Sequence, residues 1–108
     1  MTTIPEIEIS DAREHLDQGT AAFLDIRDSG SYALSHIPGA LHVDDTSVDT
    51  FIASADKNQT LVVYCYHGNS SIGGAGYFLQ NGFREVYSMR GGFESWRTDQ
   101  PCEPGTKS

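Results

Sequence analysis

The stretch that most restricts the fold is Leu61-Val62-Val63-Tyr64-Cys65-Tyr66-His67-Gly68-Asn69-Ser70-Ser71. An apolar, β-rich run of four residues ends on a cysteine. A short polar turn containing glycine follows. Ile72-Gly73-Gly74-Ala75-Gly76-Tyr77-Phe78-Leu79 then reads as a helix with very small residues on its first turns. An uninterrupted apolar run suits a strand covered on both faces, which is the environment of a parallel sheet. A strand that passes at once into a helix start puts the intervening residues at the carboxyl end of that sheet, where α/β folds place their ligands.

Such a turn is a cradle for a nucleophile. Backbone N–H groups converge on one point, and the positive end of the helix faces it. Both effects favour a thiolate over a thiol. A free cysteine has a pKa of about 8.5, so only a few per cent is ionised at neutral pH; a site of this kind lowers it by one to several units. The competing reading of Cys65 is a buried core cysteine acting as a small hydrophobe. The polar, glycine-containing turn that follows it favours the reactive reading.

The rest of the chain supplies the sheet. Ile7-Glu8-Ile9 alternates as a short strand, and Ser10-Asp11 opens a helix that runs past Leu16 to Gly19. Ala21 to Ile26 is a second apolar run. Asp28 or Ser29 caps a short helix through Leu34, which Pro38-Gly39 breaks. Ala40 to Val43, Leu61 to Tyr64 and Glu85 to Ser88 read as further strands. Helices are expected through Val48 to Ile52, from the cysteine turn to Gln80, and over Phe93 to Trp96. Strands alternating with helices predict an α/β sheet with helices on both faces. Asp25 and Cys65 then both fall at strand carboxyl ends.

The length, 108 residues, predicts one domain, with its core over about residues 6–97 and a tail over 98–108. A net charge of −8 argues against nucleic acid or an anionic membrane surface as partner. Two cysteines, Cys65 and Cys102, do not make a disulfide scaffold and fit a reducing compartment. Met1 to Glu6 has no basic segment or apolar run of the kind a signal peptide needs, and no stretch approaches membrane-spanning length. The expectation is a soluble cytoplasmic protein. His15, His36, His42 and His67 show no metal-ligand spacing, so neither a metal nor another cofactor is expected.

Four pieces of the sequence together resemble a single-domain rhodanese. Asp25-Ile26-Arg27 resembles the family's D-x-R element, and Tyr32 to Ala40 its signature ending in H-I-P-G-A. Cys65 to Ser71 is similar to its active loop, and Gly91-Gly92-Phe93-Glu94-Ser95-Trp96 to its G-G-F-x-x-W element. The resemblance implies a rhodanese-like α/β fold, with a central five-stranded parallel sheet flanked by helices. It also implies a thiosulfate:cyanide sulfurtransferase working by a ping-pong mechanism. Cys65 takes the outer sulfur of thiosulfate, sulfite leaves, and a Cys65 persulfide is held by N–H groups of Tyr66, His67, Gly68, Asn69 and Ser70. Cyanide, or a dithiol protein such as thioredoxin, then accepts the sulfur. The sequence departs from the family where many members carry a basic residue in or just after the loop. Position 72 is Ile, and no Lys or Arg occurs from Cys65 to Phe83.

Several side chains admit two readings. Arg27 can bind substrate or pair with Asp25 at the strand end. His67 can orient a substrate, tune the thiolate, or do neither. Ser70 and Ser71 can bond the sulfur or cap the helix, and Ser70 is the one expected to touch it. His36 is expected to be structural, near the Pro38-Gly39 turn. Gly73, Gly74 and Gly76 are expected to let their helix approach the sheet. Arg90 can also come near the site. Cys102 reads as an exposed tail thiol.

Two other classes of function compete. A cysteine phosphatase or arsenate reductase needs C-x5-R so that an arginine fork meets the oxyanion, and Ser71 stands where that arginine would be. A sulfur-relay module would receive persulfide from a partner and never use thiosulfate; the missing cation at position 72 is compatible with it.

Overall fold

The computed structural model describes residues 3–105. Met1 and Thr2 of the amino-terminal stretch, and 106–108 of the expected tail, lie outside the described residues. The elements are β1 (Glu6–Ile7), α1 (Ile9–Gln18), β2 (Ala22–Asp25), α2 (Ser29–Leu34), β3 (Leu41–His42), α3 (Val48–Ser54), β4 (Leu61–Tyr64), α4 (Ser70–Gln80), β5 (Val86–Met89) and α5 (Gly92–Trp96). The strands form one five-stranded sheet in the order β1-β5-β4-β2-β3, and every neighbouring pair is parallel.

β4 lies at the centre, with all four residues buried. Its alternation feeds two cores, as the two-residue period of a strand requires. Val62 and Tyr64 join Phe23 and Met89 under α1, α2 and α5, through Ala12, Tyr32, Phe93 and Trp96. Leu61 and Val63 join Leu24 and Val86 under α3 and α4, through Phe51, Ala75 and Phe78. β2 and β4 pair in register, Asp25 beside Tyr64. The chain leaves β2 toward one face and β4 toward the other, so a crevice opens between their carboxyl ends. This is the switch point at which open α/β sheets bind ligands.

Local chemistry explains most boundaries. Gly19 ends α1 at φ 67, and its N–H bonds the carbonyls of His15 and Leu16. Asp28 caps α2 by accepting from the Ser31 N–H at 3.0 Å. β2 and β3 are each shorter by one residue at both ends than expected, α5 starts one residue earlier, and two further differences have a plain cause. β1 stops at Ile7, and Ile9, expected in the strand, begins α1. There Ile9, Ala12 and Leu16 point to one core at helical spacing, which an extended edge strand would not achieve. β5 runs one residue later than expected, since its register with β4 pairs Val86 with Leu61.

The glycines of α4 divide. A Cβ on Gly74 would lie 3.1 Å from Ile26 Cδ1 and 3.4 Å from Val63 Cγ1, so this glycine does permit close approach to the sheet. One on Gly76 would lie 3.2 Å from Ile4 Cδ1, while one on Gly73 would face open space. The close-approach reading therefore fails for Gly73, whose side of the helix is exposed.

The end of the described chain packs back onto the body. Trp96, fully buried, donates Nε1–H to the Pro101 carbonyl at 2.8 Å. Glu103 bridges to His36 through both backbone bonds. Its carboxylate also accepts from the Gly39 N–H. His36 stacks on Tyr32 with centroids 3.9 Å apart and places Nδ1 2.8 Å from the Tyr32 carbonyl. It serves the fold beside the Pro38-Gly39 turn.

Candidate active site

Cys65 follows directly on β4, and the chain curls back over its sulfur. The Gly68 N–H donates to Sγ at 3.1 Å, and the Ser71 N–H at 3.3 Å. The Ser71 hydroxyl oxygen is 3.5 Å from the same sulfur. Ser71 is the second residue of α4, so its N–H is one of the first-turn donors without a partner inside the helix. The sulfur thus occupies the position of a cap, and the helix dipole favours negative charge there. Cys65 is 7% exposed, shielded but not sealed. Burial by itself raises the thiol pKa. The Ser71 hydroxyl, the Ser71 and Gly68 N–H groups and the His67 N–H outweigh it, and the thiol lies below its ordinary value.

The turn is shaped by glycines that touch it from both sides. Gly68 has φ +92, and a Cβ on it would lie 3.0 Å from the Gly91 nitrogen and 3.3 Å from the Met89 carbonyl oxygen. Gly92 has φ +64, and a Cβ there would sit 2.5 Å from the Tyr66 carbonyl oxygen and 2.7 Å from that of Cys65. Only residues without a side chain permit this approach. It lets the first turn of α5 hold the loop: Phe93 N–H donates to the Cys65 carbonyl and Glu94 N–H to that of Tyr66, each at 2.9 Å. The Gly68 and Ser71 N–H groups face the sulfur while two of the loop's carbonyls are tied outward.

The other expected site residues divide between this cup and its rim. Asp25, fully buried, accepts from the Arg27 N–H at 2.9 Å and from Arg27 Nη2 at 2.7 Å. Arg27 Nη2 also donates to the Ser35 carbonyl at 2.6 Å. The guanidinium lies 4.1 Å from the Phe93 ring centroid and 5.7 Å from that of Tyr66. Burial opposes the Arg27 cation, but Asp25, by hydrogen bond and charge, holds its pKa above the ordinary value. This geometry is that of the paired reading. Tyr66 and His67 are exposed, with rings 5.2 Å apart, and Asn69 and Ser70 are exposed on the outer side of the turn. The hydroxyl at the sulfur belongs to fully buried Ser71, not to Ser70. Ser70, expected to make that contact, begins α4 one residue too early, since successive side chains point about 100° apart around a helix. The Arg90 side chain is held by Glu6 and Glu8, on either side of Ile7 in the chain.

One close neighbour had no sequence signal. Ser88, in the middle of β5 and fully buried, lies 2.7 Å from the Ser71 hydroxyl. A serine in a strand of mixed composition reads as ordinary, and only the packing of α4 on β5 brings the two together. Cys102 is exposed and not disulfide-bonded. With Tyr66, Phe93, Arg97 and Arg27 it lines an open groove of about 490 Å³. Among the described residues, no group of three or more His, Cys, Asp or Glu side chains could hold a metal ion. None of the described helices is long and apolar enough to cross a membrane.

The arrangement can stabilise an anionic sulfur, or a covalent sulfur adduct, by neutral donors alone. Known proteins resemble this chain in sequence and in fold. A family model described as the rhodanese-like domain matches residues 8–99. The thiosulfate sulfurtransferase GlpE of Pseudomonas paraeruginosa is 51% identical over 104 residues, covering 96% of this chain and 94% of that one. The protein of the same name from Pseudomonas fluorescens (strain Pf-5) is 47% identical over 103 residues, covering 95% and 94%. The rhodanese-like domain of an Anabaena protein, solved in solution, superposes with a TM-score of 0.83 at 25% identity, covering 93% of this chain and 79% of that chain. A rhodanese-like domain protein from Staphylococcus aureus has the same fold, with a TM-score of 0.80 at 23% identity, covering 97% and 100%. A strand that ends on a cysteine, a cup of N–H groups around its sulfur and a matching family model over most of the sequence lead to one conclusion: the chain belongs to the rhodanese family.

Proposed function

We propose that the chain is a thiosulfate sulfurtransferase that carries sulfane sulfur on Cys65. The observation that supports it most is the Cys65 sulfur set among the Gly68 and Ser71 N–H groups and the Ser71 hydroxyl, with its thiol pKa lowered. In the first half-reaction the thiolate attacks the outer sulfur of thiosulfate. The sulfur–sulfur bond of the donor breaks, and sulfite departs with its electron pair. The Cys65 persulfide that remains is an anion at its outer sulfur, and in this reading N–H groups over Tyr66 to Ser70 hold it. In the second half-reaction cyanide attacks that sulfur, thiocyanate leaves, and the thiolate returns. A dithiol protein such as thioredoxin is the cellular acceptor in this reading. One of its thiolates takes the sulfur as a persulfide, and its second expels hydrosulfide and closes a disulfide. Storing the sulfur covalently divides one transfer into two easier ones. Such chemistry belongs in the reducing cytoplasm.

Asp25 and Arg27 hold the crevice wall beside the loop, and Tyr66, His67 and Asn69 form its mouth. The test is thiocyanate formation from thiosulfate and cyanide, together with the intact mass of the protein after thiosulfate alone. A gain of one sulfur on Cys65, removed by cyanide, is expected. Absence of both gain and turnover would sink the reading.

A second reading keeps the persulfide and changes its source. No Lys or Arg lies between Cys65 and Phe83, Ile72 is exposed, and the Arg27 cation is already engaged by Asp25. These features weaken attraction for a dianion and favour a relay module loaded by a partner's persulfide. A protein that carries sulfur on Cys65 when isolated, yet does not consume thiosulfate, would decide for the relay.

A further inference from the structure

The half of the sheet behind the sulfur contains a polar group that the reaction as written leaves unused. Ser88 faces the α4 side of β5, on the same face as Val86 and beside Val63 in register. Its side chain is fully buried in an otherwise apolar layer, a position costly for a hydroxyl unless it is hydrogen-bonded. Among the described residues its Oγ has one hydrogen-bond partner, the Ser71 Oγ at 2.7 Å. Ser71 Oγ in turn lies 3.5 Å from the Cys65 sulfur.

We propose that Ser88 is a positioning residue of the sulfur-transfer site, donating its hydrogen to Ser71 Oγ so that the single hydrogen of Ser71 is turned onto the Cys65 sulfur. The inference rests on the sulfurtransferase reading for its consequence in turnover, but its geometry stands apart from it. Each hydroxyl has one hydrogen. If Ser71 donated to Ser88, the Ser88 hydrogen would have no acceptor among the described residues, and the lone pairs of Ser71 would face an anionic sulfur. If Ser88 donates to Ser71, both hydrogens are satisfied and the row ends on the anion. Hydrogen bonds aligned in this way polarise one another, and low exposure strengthens them. The row therefore favours the thiolate before transfer and again at the moment the acceptor removes the outer sulfur, when negative charge returns to Sγ. The leading causes acting on the Cys65 thiol are burial and hydrogen bonds from Ser71, Gly68 and His67, with no charged side chain among them. A neutral donor row thus has a direct share in setting the charge.

The experiment is a double-mutant cycle in the full chain carrying Cys102→Ser, so that alkylation reports Cys65 alone. S88A, S71A, S71A/S88A and S88T are compared by the pH dependence of iodoacetamide labelling and by kcat and KM for thiosulfate and cyanide. S88A is expected to raise the Cys65 midpoint and to reduce the thiolate fraction below it by about threefold, with S71A showing the larger shift. kcat falls with the thiolate fraction while KM is held. In the S71A background, S88A is expected to add nothing, since Ser88 acts through Ser71. S88T, which keeps the donor, should titrate as the parent. An equal effect of S88A with and without Ser71, an unmoved midpoint in S88A, or a raised midpoint in folded S88T would each overturn the proposal. The labelling arm needs no sulfur substrate. Failure of the sulfurtransferase reading would appear as a parent without turnover, whereas failure of this one would appear as an S88A midpoint unmoved from that of an active parent.

Discussion

The chain contains the same functional group twice, in two settings. Cys65 stands at the end of the central strand, 7% exposed, with two N–H groups directed at its sulfur and a hydroxyl oxygen 3.5 Å from it. Cys102 is exposed near the chain end, with a backbone carbonyl of Gln100 3.6 Å from its sulfur. One thiol meets donors, the other an acceptor. Access alone would single out Cys102 as the reactive thiol. Hydrogen-bond direction singles out Cys65, because donors stabilise the anion that does chemistry and a carbonyl does not.

The sharpest way to break this comparison is to remove each sulfur in turn. Cys65→Ser should reduce thiocyanate formation by more than about 10³-fold, the scale of losing a nucleophile. Cys102→Ser should leave it within about twofold, as for an exposed side chain that makes no bond to the Cys65 sulfur. A large loss on removing Cys102 would end the contrast. Next in size is Gly92→Ala, whose Cβ would press on the carbonyls of Cys65 and Tyr66 at 2.7 and 2.5 Å. Moving the loop by about 1 Å should cost turnover about 100-fold and lower the melting temperature; wild-type activity with an unshifted melt would show that the loop does not depend on α5. Ser71→Ala removes one donor to the sulfur and should reduce the thiolate reaction about tenfold below its midpoint, the worth of one hydrogen bond to a charged group. Ser70→Ala, on the exposed side, is the matched control and should change little. The smallest effect is read on the unmutated site. Iodoacetamide labelling of Cys65 should titrate below the free-thiol value of about 8.5. Protonation switches the nucleophile off, so the rate is highest above that midpoint and falls about tenfold per pH unit beneath it. A midpoint above 8.5 would mean that burial prevails over the donors.

The same contrast shows how far residues could be read without coordinates. The run Leu61 to Tyr64, the cysteine and the small-residue helix are contiguous, so their consequence, a sulfur at a helix start, follows from local geometry. Gly19 and Asp28 announced their helix ends for the same reason. Asp25 and Arg27 lie two residues apart, and their pairing needed no distant partner. What could not be read depends on helix phase or on contacts across the sheet. Whether Ser70 or Ser71 turns inward is set by where α4 begins. Ser88 reaches Ser71 only because β5 packs beneath α4. Ile9 joined α1 because the core it packs on includes Tyr87 and Met89 of β5 and Trp96 of α5, more than 75 positions away in sequence.

The outward ties of the loop also bear on when reactivity arises. Phe93 and Glu94, which hold the carbonyls of Cys65 and Tyr66, belong to the last helix of the described chain. A growing polypeptide that has emerged only as far as β5 already contains Cys65, but lacks the residues that brace the turn around it. The donors of Gly68 and Ser71 are thus made before the two N–H groups that brace their turn, and the turn is closed only by a stretch that follows the whole sheet in sequence.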